Sequence, residues 1–147
     1  MQVYRISKAK YIRDLTGTGA KRFGGRWNRQ GRAVLYTSAS RALAMLEVLV
    51  HADRQFLPSD LVLATLQVEA EVHKAVTRQL PVGWADPLNR SIAQQYAEQQ
   101  FTHMQLPVFG FPSVVMPEEY NYIILPERLE TAIRFIDERP LQWDQRF

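Results

Sequence analysis

Cysteine is absent from the 147 residues, which excludes a disulfide framework and a thiolate metal site. Its absence suits a reducing compartment. Long apolar runs are missing too. The longest, Ala42 to Val50, is interrupted by Glu47 and is far too short to span a bilayer, so no membrane association is expected. The opening MQVYRISKAKY is polar and basic with no apolar segment; it predicts no signal peptide and a cytoplasmic protein. Histidine is scarce, and His51, His73 and His103 show no His-x-x-x-His spacing, so no metal is expected. Repeats, low-complexity tracts and linkers are also lacking, and one domain over residues 1–147 is the expectation.

What is present is ordinary in bulk and uneven in distribution. The hydrophobic fraction of 46% and the charged fraction of 22% are those of a globular domain. The net charge is +3, yet residues 1–32 carry nine basic side chains against the single acid Asp14. A basic end of this kind attracts a phosphate ligand, a nucleic acid or an acidic protein, or is simply a solvated face.

Tyr4–Ser7 predicts a first strand, and Thr16–Gly31, with Gly17, Gly19, Gly24 and Gly25, predicts a long loop of the functional kind. Val34–Thr37 is β-like, and Ser38 or Ser40 can cap a helix running to His51. Leu61–Val68 predicts a central strand that Val72–Val76 continues or pairs with. Asp86-Pro87 is a good helix start, with Leu88, Ile92, Tyr96 and Phe101 as the apolar stripe. Ser113–Met116, Tyr120–Leu125 and Ala132–Ile136 are further β-like segments. Strands outnumber helices and the last three lie close together, which favours an α+β fold over a doubly wound parallel sheet.

Three places carry chemistry. The helix around Leu43–Val50 is apolar nearly all round, predicting that most of it is buried, and Glu47 shares a face with Leu43 and Val50. An unpaired carboxylate there would cost several kcal/mol, so Glu47 sits either in a buried ion pair or in a pocket. In Phe23-Gly24-Gly25-Arg26-Trp27-Asn28, two glycines allow a ligand to approach the backbone and Arg26 can fork onto a phosphate. Trp27 either packs into the core or stacks on a flat ring. Ser113 follows Pro112, where serine is commonly a turn residue, and no Gly-x-Ser-x-Gly surrounds it, which disfavours a serine hydrolase.

Taken together these segments resemble the RES domain, named for an arginine, a glutamate and a serine. The resemblance runs through Gly17–Asn28, Val34–Ser38, Leu46–His51 and Phe111–Pro117 into Glu119–Tyr122, while residues 60–105 match mainly in their strand–helix layout. It implies an ADP-ribosyltransferase-like fold, with flanking helices and a split β-sheet gripping NAD in a cleft. It implies a bacterial toxin that breaks the nicotinamide–ribose bond of NAD by hydrolysis or phosphorolysis, or one that transfers ADP-ribose to a protein. NAD is then the substrate, and a helix-turn-helix, Xre-like antitoxin is the partner through which DNA enters only indirectly; a homodimer stays open. By position Arg26, Glu47 and Ser113 are the catalytic candidates. Tyr36 is the adjacent pocket tyrosine, and Trp27 and Asn28 join it with those three as NAD-binding candidates.

The chain departs from the family pattern at Leu125-Pro126, where asparagine-proline is usual, and at Arg128-Leu129, where histidine-proline is usual. Val108-Phe109-Gly110-Phe111 stands in place of an apolar-Arg-apolar step. A nucleic-acid-binding module on the basic N-terminus is disfavoured, because the basic residues are interleaved with glycines and no known motif is present.

Overall fold

The computed structural model describes residues 1–53, 56–144 and 146. Its strands are β1 (Gln2–Lys8), β2 (Leu35–Ser38), β3 (Leu61–Gln67), β4 (Val72–Lys74), β5 (Val108–Pro112), β6 (Tyr120–Ile124) and β7 (Arg134–Pro140). They form one seven-stranded sheet in the order β4-β5-β6-β2-β1-β3-β7, antiparallel except for the β4–β5 pair. With helices α1 (Thr18–Phe23), α2 (Arg41–His51) and α3 (Ser91–His103), the fold is the expected mixed α+β one.

The sheet is split near its middle. β1 pairs with β3 along its whole length, from Gln2 with Gln67 to Lys8 with Leu61. β2 pairs fully with β6, from Leu35 with Ile124 to Ser38 with Asn121. Between β1 and β2 the register holds only at Tyr4 with Ser38.

Strand alternation and register put Tyr4, Ile6, Tyr36, Ser38, Phe109, Phe111, Asn121 and Ile123 on one face. α3 covers part of this face with Ala93, Ala97 and Phe101, all fully buried against Phe109, Phe111, Ile123 and Leu125. Each large side chain so buried contributes roughly 1.5–3 kcal/mol. α2 covers another part, packing Met45 and Val48 on Tyr4, Ile6, Leu61 and Leu63. The opposite face carries Val3, Leu35, Leu66, Val108 and Ile124, closed over by Ile12 and the half-buried Leu15 and Leu129.

Several expected elements move, each for a local reason. The expected loop 16–31 contains α1, because Gly17 (φ 75°) and Gly24 (φ 71°) take conformations that flank a short helix. A Cβ on Gly17 would lie 2.8 Å from the Val34 backbone, so the residue there is fixed by packing as well as by dihedral. β4 does not pair with β3, whose two edges are taken by β1 and β7; it adds to the free edge of β5 instead. The expected strand Ser113–Met116 is absent: the strand is Val108–Pro112, and the chain turns at Ser113. β7 begins later than Ala132 and runs on to Pro140 opposite Val62. Its charged, exposed side chains suit an edge strand that must not pair further.

α3 starts at Ser91, not at Asp86, whose carboxylate closes only a local turn on the Leu88 N–H (2.8 Å). Phe101 is buried as expected, but Ala93 and Ala97 take the buried places expected of Ile92 and Tyr96, and Leu88 is 95% exposed. The small alanines let the helix approach the aromatic sheet face closely. α2 begins as expected, with the Ser40 hydroxyl accepting from the Leu43 N–H (3.1 Å). Only Leu43 and Ala44 in it are buried, because Glu47, Val50 and His51 line an open cavity, which Ala44 and Val48 reach from their core contacts.

Candidate active site

The cavity has a volume of about 620 Å³, within the usual range for small-molecule sites. It lies where the sheet splits: β1 contributes Tyr4, Arg5 and Ile6, β2 contributes Tyr36–Ser38, and α2 closes one side. The Gly25–Trp27 turn, Pro87, Arg90, Pro112, Val114, Val115 and Asn121 complete the wall.

Glu47 is the carboxylate of this cavity and it is held firmly. Its Oε1 accepts from the Ser113 hydroxyl (2.7 Å) and from Asn121 Nδ2 (2.6 Å). Oε2 lies 3.5 Å from Nε2 of His51, one helical turn on. Asn121 is itself oriented by the Ser38 hydroxyl, which donates to its Oδ1 (2.7 Å). Ser113 Oγ accepts from the backbone N–H groups of Val115 and Met116 (3.2 Å each), so its one proton is directed at Glu47. Burial pushes the Glu47 carboxyl upward, but hydrogen bonds from His51, Ser113 and Asn121, with the charge of His51, outweigh it and hold the group below its ordinary value. The carboxylate is therefore ionised at neutral pH.

Across the cavity stands Arg26, on a tight turn in which Gly25 and Asn28 form an antiparallel bridge. Its Nη1 donates to the carbonyls of Trp84 (2.8 Å) and Asp86 (3.3 Å), leaving Nη2 and Nε for other partners. Burial and the neighbouring Arg90 lower its pKa against the pull of Glu47, Tyr36 and Asp86. Among the described residues Arg26 and Glu47 form no ion pair; they face the same cavity from separate walls. Both sequence readings of Glu47 have a counterpart here: it lines the cavity and it pairs with His51.

Tyr36 shapes the floor. Its hydroxyl accepts from the Trp27 N–H (3.0 Å) and donates to Asn28 Oδ1 (2.7 Å), and burial raises its pKa. A Cβ at Gly25 would lie 2.5 Å from that hydroxyl, so the glycine is dictated by the tyrosine. Trp27 is a core residue, stacked on Phe111 (centroids 4.0 Å, 11°) and on Trp84 (5.8 Å, 23°), although an edge of it reaches the cavity wall.

Six residues were expected here, and the structure sorts them. Arg26, Trp27, Tyr36 and Glu47 line the cavity. Asn28 and Ser113 do not; each is 1% exposed and acts from behind the wall. Asn28 Nδ2 donates to the carbonyls of Ala20 (2.8 Å) and Arg32 (3.0 Å), tying α1 to the turn. Ser113 meets Glu47 and not the cavity, so a direct ligand contact by its hydroxyl has no support in the geometry. Sequence reasoning missed Asn121, His51 and Arg90. His51 was accessible through its four-residue spacing from Glu47, and Asn121 through its alternation with Ile123. Arg90 carried no signal.

The basic N-terminus is not one field. Arg13 pairs with Glu138 (3.2 Å) and Arg32 with Glu98, while Arg5 donates to the Asp14 carbonyl (2.6 Å). The departures from the family pattern have structural work of their own. Leu125 is fully buried, and Arg128 Nη1 donates to the carbonyls of Phe101 (2.9 Å), Met104 (3.1 Å) and Leu106 (3.2 Å) at the end of α3.

The fold and site define an α+β protein with a cavity of mixed charge where β1 and β2 meet. The RES domain model matches residues 2–144, and the chain belongs to that family. It is 44% identical over 121 residues to the Prs ADP-ribosylating toxin of Sphingobium sp., covering 77% of this chain and 73% of that protein. It is 37% identical over 130 residues to Toxin Res of Pseudomonas putida, covering 86% and 85%. The structure is similar to a chain of the M. tuberculosis MbcT–MbcA toxin–antitoxin complex, with a TM-score of 0.78 at 20% identity over 95% of this chain and 83% of that one. At that identity the likeness concerns the fold.

Proposed function

We propose that the protein is the toxin of a toxin–antitoxin pair and an enzyme that cleaves the nicotinamide–ribose bond of NAD. One observation carries the chemistry: an ionised carboxylate, fixed by Ser113 and Asn121, presented to a cavity whose other wall holds an arginine with free donors. The relatives named as toxins supply the biological setting.

Nicotinamide is a cation in NAD and leaves as a neutral molecule. When the C–N bond breaks, its electron pair goes to the ring nitrogen and positive charge develops on the ribose as an oxocarbenium ion. Glu47 stabilises that charge, without reorganisation because its position is already set. Arg26 holds the pyrophosphate through Nη2 and Nε. Tyr36 packs beside the nicotinamide ring. Water or phosphate then forms the new bond to C1′ and loses a proton to solvent. Ser113 and Asn121 act through Glu47 as positioning residues.

A second reading is favoured by the Sphingobium relative, which is named as an ADP-ribosylating toxin: the acceptor is a protein side chain and the first bond broken is the same. Incubation of purified protein with NAD labelled in the adenosine part, with and without phosphate, separates the readings. Free nicotinamide with label in ADP-ribose or its phosphate marks degradation, and label on protein marks transfer. Intact NAD at high enzyme concentration would sink both.

The antitoxin is proposed as a helix-turn-helix, Xre-like protein covering the cleft, with DNA reached only through it. The site of action is the cytoplasm; among the described residues no helix is long and apolar enough to cross a membrane.

A further inference from the structure

Three arginines line the cavity, and they differ in what already occupies them. Arg5 is committed to the Asp14 carbonyl (2.6 Å). Arg26 has given one of its three nitrogens to the carbonyls of Trp84 and Asp86. Arg90 has given none: among the described residues its guanidinium makes no hydrogen bond and no ion pair. Its backbone, by contrast, is fixed. Asn89 Oδ1 accepts from the Ser91 N–H (3.1 Å) and hydroxyl (2.6 Å), which sets the turn into α3.

Arg90 is an electrostatic neighbour of Arg26 and raises the cost of charge on it. They belong to one structural unit, since Arg26 is bonded to the start of the same 84–90 segment that ends in Arg90. The acid closest to Arg90 in sequence, Asp86, forms no ion pair with either arginine among the described residues. Two guanidiniums on one cavity, neither in an ion pair among the described residues, are arranged for an anion with more than one charge.

We propose that Arg90 is a second phosphate-binding residue, which with Arg26 holds the two phosphates of a dinucleotide pyrophosphate. The inference rests on the NAD reading above and deepens it. The arginine pair sets the dinucleotide in register, so that the ribose bond at one end meets Glu47. It also makes the site selective for a pyrophosphate over a single phosphate.

The test is a set of binding titrations on the wild-type protein with ADP-ribose, AMP and adenosine, repeated on Arg90→Ala and Arg90→Lys. Arg90→Ala is expected to weaken ADP-ribose roughly tenfold to a hundredfold, the range of a charge-assisted hydrogen bond. AMP should lose less and adenosine nothing, with Arg90→Lys recovering part of the loss. In turnover, Arg90→Ala should raise KM for NAD while keeping kcat, the mark of binding lost equally in ground and transition states. ADP-ribose affinity within twofold of wild type, equal losses for AMP and ADP-ribose, or no ADP-ribose binding by wild type would each overturn the proposal. Arg90-dependent ADP-ribose binding by a wild type that leaves NAD intact would retain the pyrophosphate site and reject the reaction. NAD consumption with an unchanged KM in Arg90→Ala would do the reverse.

Discussion

The two walls of the cavity are built on opposite terms. On the α2 wall, Glu47 arrives with its partners in place: Ser113 and Asn121 hold one oxygen, and Ser113 and Asn121 are themselves held. On the facing wall, Arg26 is half-committed and Arg90 uncommitted. The negative group is preorganised and the positive groups are left short of partners. Under the NAD reading proposed above, that asymmetry suits a ligand whose pyrophosphate brings negative charge to one wall and whose positive charge moves from the nicotinamide ring to the ribose at the other as the bond breaks.

The largest break of this comparison is at Glu47. Glu47→Gln keeps the size and the hydrogen bond from Ser113 but removes the charge. NAD turnover should fall roughly 10²–10³-fold, as expected if the carboxylate supplies ~3–4 kcal/mol to the transition state. KM should change little, because the positive wall is untouched. Turnover equal to wild type would leave Glu47 as a structural residue.

How much of this was open to reading from the chain depends on the range of the signal. Glu47 stood out because a carboxylate in the apolar run Leu43–Val50 must have a reason, and the cavity is that reason. β1, β2, β3 and β6 were legible from short β-branched and aromatic runs within a residue or two of their ends. β5 was not, since Val108–Phe111 holds a glycine and lies between two prolines. The partner of β4 was hidden as well, because strand pairing is decided by which edges remain free. Arg26 was a phosphate candidate from its glycine-rich loop, and Tyr36 came from the resemblance alone. The placing of Ser113 and Asn28 behind the wall depends on backbone turns that no residue pattern specifies. Arg90 belongs to no pattern at all; only the fold brings it to Arg26.

A smaller effect tests whether the carboxylate's support matters in its own right. Ser113→Ala removes one donor to Glu47 and leaves Asn121 and His51. Turnover at neutral pH should fall roughly tenfold, within the range for one charge-assisted hydrogen bond. The pH profile carries the sharper information. Because Glu47 is held below its ordinary value, its ionised form and the activity that needs it are complete above that value and are lost as pH falls through the folded pKa. Losing the Ser113 donor raises the folded pKa, so the acid limb should move to higher pH. A lower rate with an unmoved limb would show that Ser113 acts by some route other than the carboxylate.

The smallest effect separates wall from scaffold at Tyr36. The ring faces the cavity, whereas the hydroxyl is spent on Trp27 and Asn28. Tyr36→Phe retains the ring and strips one buried N–H and one buried carbonyl oxygen of a partner. Stability should drop by about 1–2 kcal/mol in urea unfolding, with kcat and KM for NAD within about twofold of wild type. Asn28→Ala in the Tyr36→Phe background should then cost less than in wild type, because the two share one hydrogen bond and their losses are not additive. If Tyr36→Phe instead raised KM with stability unchanged, the hydroxyl would belong to the ligand. The turn from Gly25 to Asn28 would then have to open when NAD enters.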